Sequence, residues 1–237
     1  MSILAVTGVQ VNDRDCTGEL LFVASPQVEF SWRIETDSPG SRQCGYQIVA
    51  TDADGRLLWD SGRVAGNACR GVPWRGAGLK AGDRVSFRIR VFDRIGNPSP
   101  FSVENAFAVA LQSPADWNGA RWVRFAGNRC AAAAPAPHFR REFTVGDGLR
   151  RAVLSITARG VFEPSLDGAR IGGDLLAPGW TDFRKQIQFL SYDLSDRLPP
   201  GRHALGVILA EGWCCGNLTV LRMRNVYHPH PELLAHL

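Results

Sequence analysis

Four side chains in the C-terminal third of the chain have the chemistry to contact a sugar. Trp180, Asp182 and Arg184 lie within five residues of one another, and Trp213 follows a later apolar run. An indole ring offers a large apolar face with a polar edge, while a carboxylate accepts and a guanidinium donates hydrogen bonds. The sequence therefore predicts these four residues as candidate carbohydrate contacts.

Each of the four also has an ordinary structural explanation. A buried tryptophan covers ~150–250 Å², worth roughly 4–6 kcal/mol at ~25 cal/mol/Å². Core packing is therefore the default expectation for Trp180 and Trp213. For Asp182 and Arg184 the default expectation is a surface ion pair or a turn cap, because such residues are mostly exposed.

Acid–base catalysis has little support in this chain. Glu163 and Glu211 are the best-placed lone carboxylates, and the sequence gives neither of them an identifiable partner. Glycoside hydrolysis by acid and base needs two carboxyl groups that act together. We therefore predict no catalytic residue here.

A metal site is considered and set aside. Cys214, Cys215, His228 and His230 are soft or nitrogen ligands, but adjacent cysteines and a His-x-His pair do not have the C-x₂₋₄-C spacing of a closed zinc site. Nor does any glycine-rich stretch follow the G-x-x-x-x-G-K-[ST] phosphate-loop pattern. The sequence predicts no metal and no cofactor.

Charge and hydrophobicity exclude two classes of partner. The 237 residues carry a net charge of +4, and among 27 basic residues only Lys80 and Lys185 are lysines, with the arginines spread along the whole chain. No basic run is interleaved with aromatic residues, as a nucleic-acid groove requires. No apolar stretch approaches the ~20 residues of a membrane helix. We predict neither a nucleic-acid nor a membrane partner.

Cysteine usage and the N-terminus bear on location. The six cysteines show no disulfide framework, and the first residues, MSILAVTGVQVNDRD, lack the basic start and long apolar core of a signal peptide. We expect a soluble protein in a reducing cytoplasm, with export by another route left open.

The elements that must position these residues are strands. Val28, Phe30, Trp32 and Ile34 share one face of an alternating segment, and the segment from Val85 to Val91 alternates in the same way. Strict alternation is typical of strands with one buried face. Turn signals separate the strands and no helix of ten residues interrupts them. The pattern predicts an all-β chain of antiparallel sandwiches.

Two domains are expected, over residues 1–110 and 111–237. Alternation breaks at Gln112-Ser113-Pro114, and residues 130–137, CAAAAPAP, are interpreted as a loop. In the second domain, strands are predicted over 139–145, 152–158, 162–166, 187–190 and 205–209. Asp167-Gly168 is a strong signal for a two-residue hairpin turn.

The first domain resembles a fibronectin type III domain. The stretch LKAGDRVSFRIRVFDRIGNPSPFS (79–102) is similar to the last strands of such domains, and Trp32 lies where their early buried tryptophan falls. Val85 departs from the pattern, because these domains place there a tyrosine whose hydroxyl ties down the corner. The corner must then be held in another way.

The second domain resembles the N-terminal β-sandwich domain of bacterial α-L-rhamnosidases, glycoside hydrolase family seventy-eight. The matching motifs are Phe162, Asp167-Gly168, Leu176-Ala177-Pro178-Gly179-Trp180-Thr181-Asp182-Phe183, Arg184-Lys185, Tyr192-Asp193 and Gly212-Trp213, preceded by Asp116-Trp117 and Trp122. Ala210-Glu211 and Cys214-Cys215 depart from the family pattern and put a role for that loop in doubt.

The resemblance implies a jelly-roll-like second sandwich and a parent enzyme that removes terminal L-rhamnose with inversion. In that family both catalytic acids lie in an (α/α) barrel whose acidic signature is absent from this sequence. The chain is therefore expected to be a non-catalytic, N-terminal fragment. The implied partners are the missing barrel and rhamnose-containing glycosides. The last residues, 227–237, precede a further strand in the family, so we expect an incomplete sandwich and possible self-association through an unpaired edge.

Two other functions are kept open. The chain could be a stand-alone carbohydrate-binding module, or a protein-interaction module built on the fibronectin-like domain.

Overall fold

The computed structural model describes residues 4–24, 27–126 and 135–237, and it divides the chain into two compact units, Met1–Asp116 and Trp117–Leu237. Each unit is built almost wholly of strands, so the predicted all-β fold is confirmed. Of the loop predicted over 130–137, only 135–137 fall within the described residues, and they lie outside any strand.

The described residues of the first unit contain ten strands. They are β1 Leu4–Val11, β2 Arg14–Asp15, β3 Leu21–Val23, β4 Glu29–Thr36, β5 Gly45–Thr51, β6 Leu57–Asp60, β7 Val64–Ala65, β8 Val72–Pro73, β9 Arg84–Phe92 and β10 Asn105–Val109. One sheet has the order β2-β1-β4-β8 and the other the order β3-β10-β9-β5-β6, with β7 also on β5. All pairs are antiparallel except β3 and β10, which run parallel.

The core of the first unit lies between its two sheets. Phe30 of β4 contacts Phe87 of β9 edge-on, with ring centroids 4.8 Å apart, and both rings are buried. Trp32 is also buried, and its indole N–H donates to Gln43 Oε1 at 3.2 Å. The alternating residues of the sequence are thus the ones that fill the sandwich.

The corner before β9 is held by an aspartate. Val85 is buried and has no hydroxyl to offer. Instead, the Asp83 carboxylate accepts the backbone N–H of Lys80 at 2.7 Å, and the Asp83 N–H donates to the Lys80 carbonyl at 3.0 Å. The reciprocal pair closes the turn that a tyrosine hydroxyl would otherwise hold.

In the part of the second unit that the structure describes there are seven strands. They are β11 His138–Val145, β12 Val153–Arg159, β13 Val161–Leu166, β14 Ala169–Arg170, β15 Leu190–Asp193, β16 Gly201–Ala210 and β17 Glu232–His236, with one short helix, α1 Gly212–Cys215. The sheets have the orders β11-β16-β13-β14 and β15-β12-β17, and every pair is antiparallel. Leu154 and Ile156 of β12 pack in one core with Phe162 and Leu209 from the facing sheet.

Two local predictions for the second unit have different outcomes. Asp167 and Gly168 both have positive φ, 52° and 83°, as the central residues of a two-residue hairpin between β13 and β14. The strand predicted over 187–190 begins only at Leu190. The Gln188 carbonyl accepts a hydrogen bond from the Thr157 hydroxyl at 2.5 Å instead of from a strand amide.

The outer edge of β17 is only partly covered. Leu233 exchanges two backbone hydrogen bonds with Val123, at 2.8 and 2.9 Å. Beyond this bridge, no strand of the described residues pairs with β17 on the side away from β12. Across the described ranges, no helix is long and apolar enough to cross a membrane.

Candidate carbohydrate-contact site

A tight turn places Trp180 at the surface of the second unit. Ala177 is anchored on β13, because its carbonyl accepts the N–H of Phe162 at 2.8 Å. The chain then turns through Gly179, which has φ +99° and donates its N–H to the Leu176 carbonyl at 3.0 Å. Trp180 follows directly, with 57% of its surface exposed.

Core packing was the default expectation for Trp180, and it is wrong. The ring of Trp180 instead lies parallel to that of Trp213, with an interplanar angle of 2° and centroids 6.1 Å apart. Trp213 itself is half-buried. The two indoles therefore form a platform, the Trp180–Trp213 platform, whose outer ring is open to solvent.

The platform rests on α1, which is fixed by buried neighbours. Gly212 has φ +52°, and a Cβ there would lie 2.7 Å from Val161 Cγ1, so glycine is needed for α1 to approach β13. Cys214 and Cys215 are buried and pack with Phe183 and Tyr227. Trp213 is thus held by the residues on both sides of it.

Asp182 and Arg184 form the ion pair that their residue types favour. Asp182 Oδ1 lies 3.2 Å from Arg184 Nε and also accepts the Arg184 backbone N–H at 3.2 Å. The hydrogen bond from the Arg184 side chain is the main cause that lowers the pKa of Asp182. Arg184 also lies over the ring of Tyr227, 5.2 Å from its centroid.

The fold therefore brings the four predicted residues into one region. Trp180, Asp182 and Arg184 lie on a single loop, and Trp213 stacks on that loop from α1. An open indole face beside a carboxylate and a guanidinium can pack on a sugar ring and bond to its hydroxyl groups. The remaining lone pairs of Asp182 and N–H groups of Arg184 are the polar contacts available for this.

Sequence reasoning missed Tyr227. Its ring contacts Phe183, with centroids 5.4 Å apart, and its N–H donates to the Cys214 carbonyl at 3.3 Å. Tyr227 lies more than forty residues after Phe183, so only tertiary folding joins the two. The available signals were that it is one of three tyrosines and that it begins the family-like segment 227–237.

The two lone carboxylates have partners in the structure. Glu163 lies 3.4 Å from Arg170 on the neighbouring strand β14, and Glu211 lies 2.6 Å from Arg224. Each carboxylate therefore lies in an ion pair with an arginine and not beside a second carboxyl group.

The four residues considered for zinc do not converge on one point. The Cys215 thiol shares a hydrogen bond with Cys214, which raises the pKa of Cys215 and lowers that of Cys214. His228 instead turns to its own loop, with Nδ1 2.8 Å from the His230 carbonyl. Among the residues that the structure describes, no group of three or more His, Cys, Asp and Glu could hold a metal ion.

Each unit consists of two packed β-sheets, and the second unit carries an exposed tryptophan pair. These features define a protein of two β-sandwich domains. Residues 6–113 match the Rha78A-like, N-terminal immunoglobulin domain, and residues 147–237 match the alpha-L-rhamnosidase N-terminal domain. The chain therefore carries two N-terminal domains of α-L-rhamnosidases, in the order in which the two models match.

Individual relatives agree with the family models. An alpha-L-rhamnosidase from Alteromonas sp. (strain LOR) is 31% identical over 228 residues, which cover 91% of this chain and 24% of the relative. The native α-L-rhamnosidase of Aspergillus terreus superposes with a TM-score of 0.89 at 28% identity, over 98% of this chain and 27% of that one. The chain thus spans about a quarter of the length of these relatives.

A third comparison bears on the fold alone. The Streptomyces avermitilis α-L-rhamnosidase complexed with L-rhamnose superposes with a TM-score of 0.84 at 19% identity, over 98% of this chain and 39% of that one. The two β units recur together in these enzymes.

Proposed function

We propose that this chain is the non-catalytic N-terminal region of an α-L-rhamnosidase, where its two units support the catalytic (α/α) barrel. The parent enzyme would hydrolyse terminal α-L-rhamnose from glycosides with inversion. The observation that carries the proposal is the order of the two matched N-terminal domains along a chain that spans about a quarter of its relatives.

The carboxylates of the chain are consistent with this role. An inverting glycosidase needs a protonated and an ionised carboxyl group about 6.5–9.5 Å apart, facing one substrate. Glu163 and Glu211 are each tied to an arginine, and Asp182 to Arg184. None of these three is arranged as a proton donor beside a second free carboxylate.

Two activity measurements test the proposal. The purified chain should show no turnover of 4-nitrophenyl α-L-rhamnopyranoside. A chimaera in which the chain replaces the aligned segment of the Alteromonas enzyme should regain turnover, whereas the same enzyme with that segment deleted should not. Turnover by the chain alone, or equal activity of the chimaera and the deletion variant, would refute the supporting role.

A second function, carbohydrate contact, is favoured by one specific observation. Trp180 is more than half exposed and parallel to Trp213, with Asp182 and Arg184 on the same loop. A large aromatic side chain left open to water in this way is typical of binding surfaces. We propose L-rhamnose or a rhamnoside as the ligand, and a calorimetric titration of the chain with each tests it.

We also propose that the chain functions in a reducing compartment. Cys16, Cys44, Cys69, Cys214 and Cys215 are free thiols in the structure. Fractionation of cells that express the natural gene, with activity and antibody detection in each fraction, tests this location.

A further inference from the structure

The segment Leu218–Met223, the finger, leaves the second unit directly after α1. The Leu218 N–H donates to the Met223 carbonyl at 2.7 Å, and the Met223 N–H donates to the Leu218 carbonyl at 3.0 Å. Within the loop, the Leu221 N–H donates to the Thr219 hydroxyl at 3.2 Å. The finger is therefore a defined turn with its own hydrogen bonds.

The tip of the finger is apolar and points into solvent. Val220 is 96% exposed and Leu221 76% exposed. Among the large apolar side chains of the described residues, Val220 is the most exposed. Single exposed apolar residues are common on protein surfaces, whereas adjacent ones form a contiguous apolar patch, which is typical of interaction sites. A tip of Val and Leu indicates a surface that is covered in the working protein.

The root of the finger is fixed, so the tip is held outward. Leu218 is buried, and the Asn225 N–H donates to the Cys215 carbonyl at 3.1 Å. On the same side, Arg224 pairs with Glu211 at 2.6 Å, with both side chains less than one-third exposed. These contacts prevent Val220 and Leu221 from folding back onto the unit.

The backbone of the finger is strained at residues that are not glycine. Thr219 has φ +60° and Arg222 has φ +51°. The left-handed region is unfavourable for non-glycine residues, above all for a β-branched one such as threonine. Strain of this kind persists only where the surrounding structure imposes it, and it clusters at functional surfaces.

A second group of exposed apolar side chains lies on the loop that leads to the Trp180–Trp213 platform. Leu175 and Leu176 are mostly exposed, and Trp180 stacks on Trp213 of α1. The finger emerges from the other end of the same helical turn. Exposed apolar side chains thus lie on two segments that meet at α1: the loop whose Trp180 stacks on Trp213, and the finger that follows α1 in the chain.

We propose that the finger is a docking element that inserts into an apolar pocket, edged by carboxylates, on the catalytic part of the α-L-rhamnosidase. This inference rests on the proposed function. Two observations select that partner. About three-quarters of the relatives' length lies outside the region that aligns with this chain. The finger itself contains Arg222 and no acidic residue, so charge complementarity favours an acidic rim.

The chimaera with the Alteromonas enzyme provides the test. A photo-crosslinking amino acid is placed at position 220, and in a matched control at position 95, where Ile95 of the first unit is also highly exposed. Irradiation of the active chimaera should join position 220 to peptides of the catalytic part, and position 95 should give no such crosslink above background.

Paired substitutions give a second measurement. The variant Val220→Asp/Leu221→Asp should shorten the half-life of rhamnosidase activity on heating by about tenfold, because charges must then be buried in the pocket. The control Ile95→Asp/Val103→Asp should leave that half-life unchanged. In the isolated chain, both pairs should keep the wild-type melting temperature, since all four side chains are exposed there.

The outcomes separate the two levels of the proposal. An inactive chimaera whose β units are folded by circular dichroism would defeat the proposed function, and the docking role with it. An active chimaera with equal crosslinking at positions 220 and 95, and equal half-lives, would overturn the docking role alone. Crosslinks from position 220 to a second copy of the chain would show that the finger binds another copy and not the catalytic part, and would also overturn the docking role.

Discussion

The ring of His203 is held by an acceptor on each side: Nδ1 lies 2.7 Å from Asp167 Oδ2, and Nε2 lies 2.7 Å from the Pro199 carbonyl. A neutral imidazole has only one N–H, so it can satisfy one of these acceptors and not both. The doubly protonated ring satisfies both. The hydrogen bond to Asp167 is the main cause that raises the pKa of His203, and the same bond lowers the pKa of Asp167.

Stability of the second unit should therefore fall as pH rises above about 6.5. The raised pKa of His203 contributes stability that is complete below its unfolded value of about 6.5 and is lost as pH rises through the folded value. The lowered pKa of Asp167 contributes stability above about 3.9 that is lost as pH falls through its folded value. Melting temperatures measured from pH 4 to 9 should thus decline above about pH 6.5.

The variant His203→Gln isolates this effect. It should melt at a lower temperature than the wild type at pH 5 to 6 and show a flatter decline at higher pH. His230→Gln, at an exposed position, serves as the control and should keep the wild-type profile. Identical pH profiles for wild type and His203→Gln would show that the ring does not gain a proton on folding.

Replacing Trp180 by alanine should affect sugar binding, whereas replacing Trp32 by alanine should affect stability. Trp180→Ala should abolish the heat of rhamnoside binding and change the free energy of unfolding little, because its ring is largely exposed. Trp32→Ala should cost about 3–5 kcal/mol of stability, because that ring is buried in the sandwich. Calorimetric titration and urea unfolding measure the two effects.

One result would contradict the binding role of Trp180. If Trp180→Ala binds rhamnoside as the wild type does, the platform is not the sugar contact. Ile95→Ala, which removes an exposed apolar side chain in the first unit, controls for non-specific effects on the titration.

Periodicity predicted the core of the first unit because it reports which face of a strand is buried. Phe30 and Phe87 alternate with polar residues in the sequence and meet at 4.8 Å in the structure. The Asp167-Gly168 turn was predictable for a related reason, since two successive positive φ values suit few other residue pairs. These features depend on neighbours along the chain.

The site was less predictable, because its geometry depends on distant residues. The exposure of Trp180 follows from the anchoring of Ala177 on β13, which no local pattern encodes. The partner of Glu211 is Arg224, which reaches it only because the chain returns to α1 after the finger. Residue types identified the candidate contacts, and tertiary packing decided which side chains remain open to solvent.

The corner of the first unit should depend on Asp83. Its carboxylate accepts the Lys80 N–H at 2.7 Å, in a turn that precedes the buried Val85. Asp83→Ala should lower the free energy of unfolding by about 0.5–1.5 kcal/mol, the net contribution of a typical hydrogen bond, because water can reach the turn amide in the variant. Glu19→Ala, at an exposed position, should change it by less than about 0.5 kcal/mol. Equal values for the two variants in urea unfolding would contradict the capping role.

The open edge of β17 should make the chain self-associate. Leu233 directs its N–H and carbonyl to Val123, so the same groups of Ala235, two residues later, also point away from β12. Within the described residues no strand accepts them, and such an edge is a template for pairing with a second chain. Sedimentation velocity should show a mass that rises with protein concentration.

Ala235→Pro tests this edge directly. Proline removes the outward N–H without breaking a bond to β12, so the variant should stay monomeric while its circular dichroism remains that of a β protein. Val220→Asp/Leu221→Asp should leave the association intact, because the finger is a separate surface. A wild-type chain that is monomeric at all concentrations would show that the Val123 bridge already protects the edge. Loss of association only in the finger variant would show that the chains associate through the finger and not through β17.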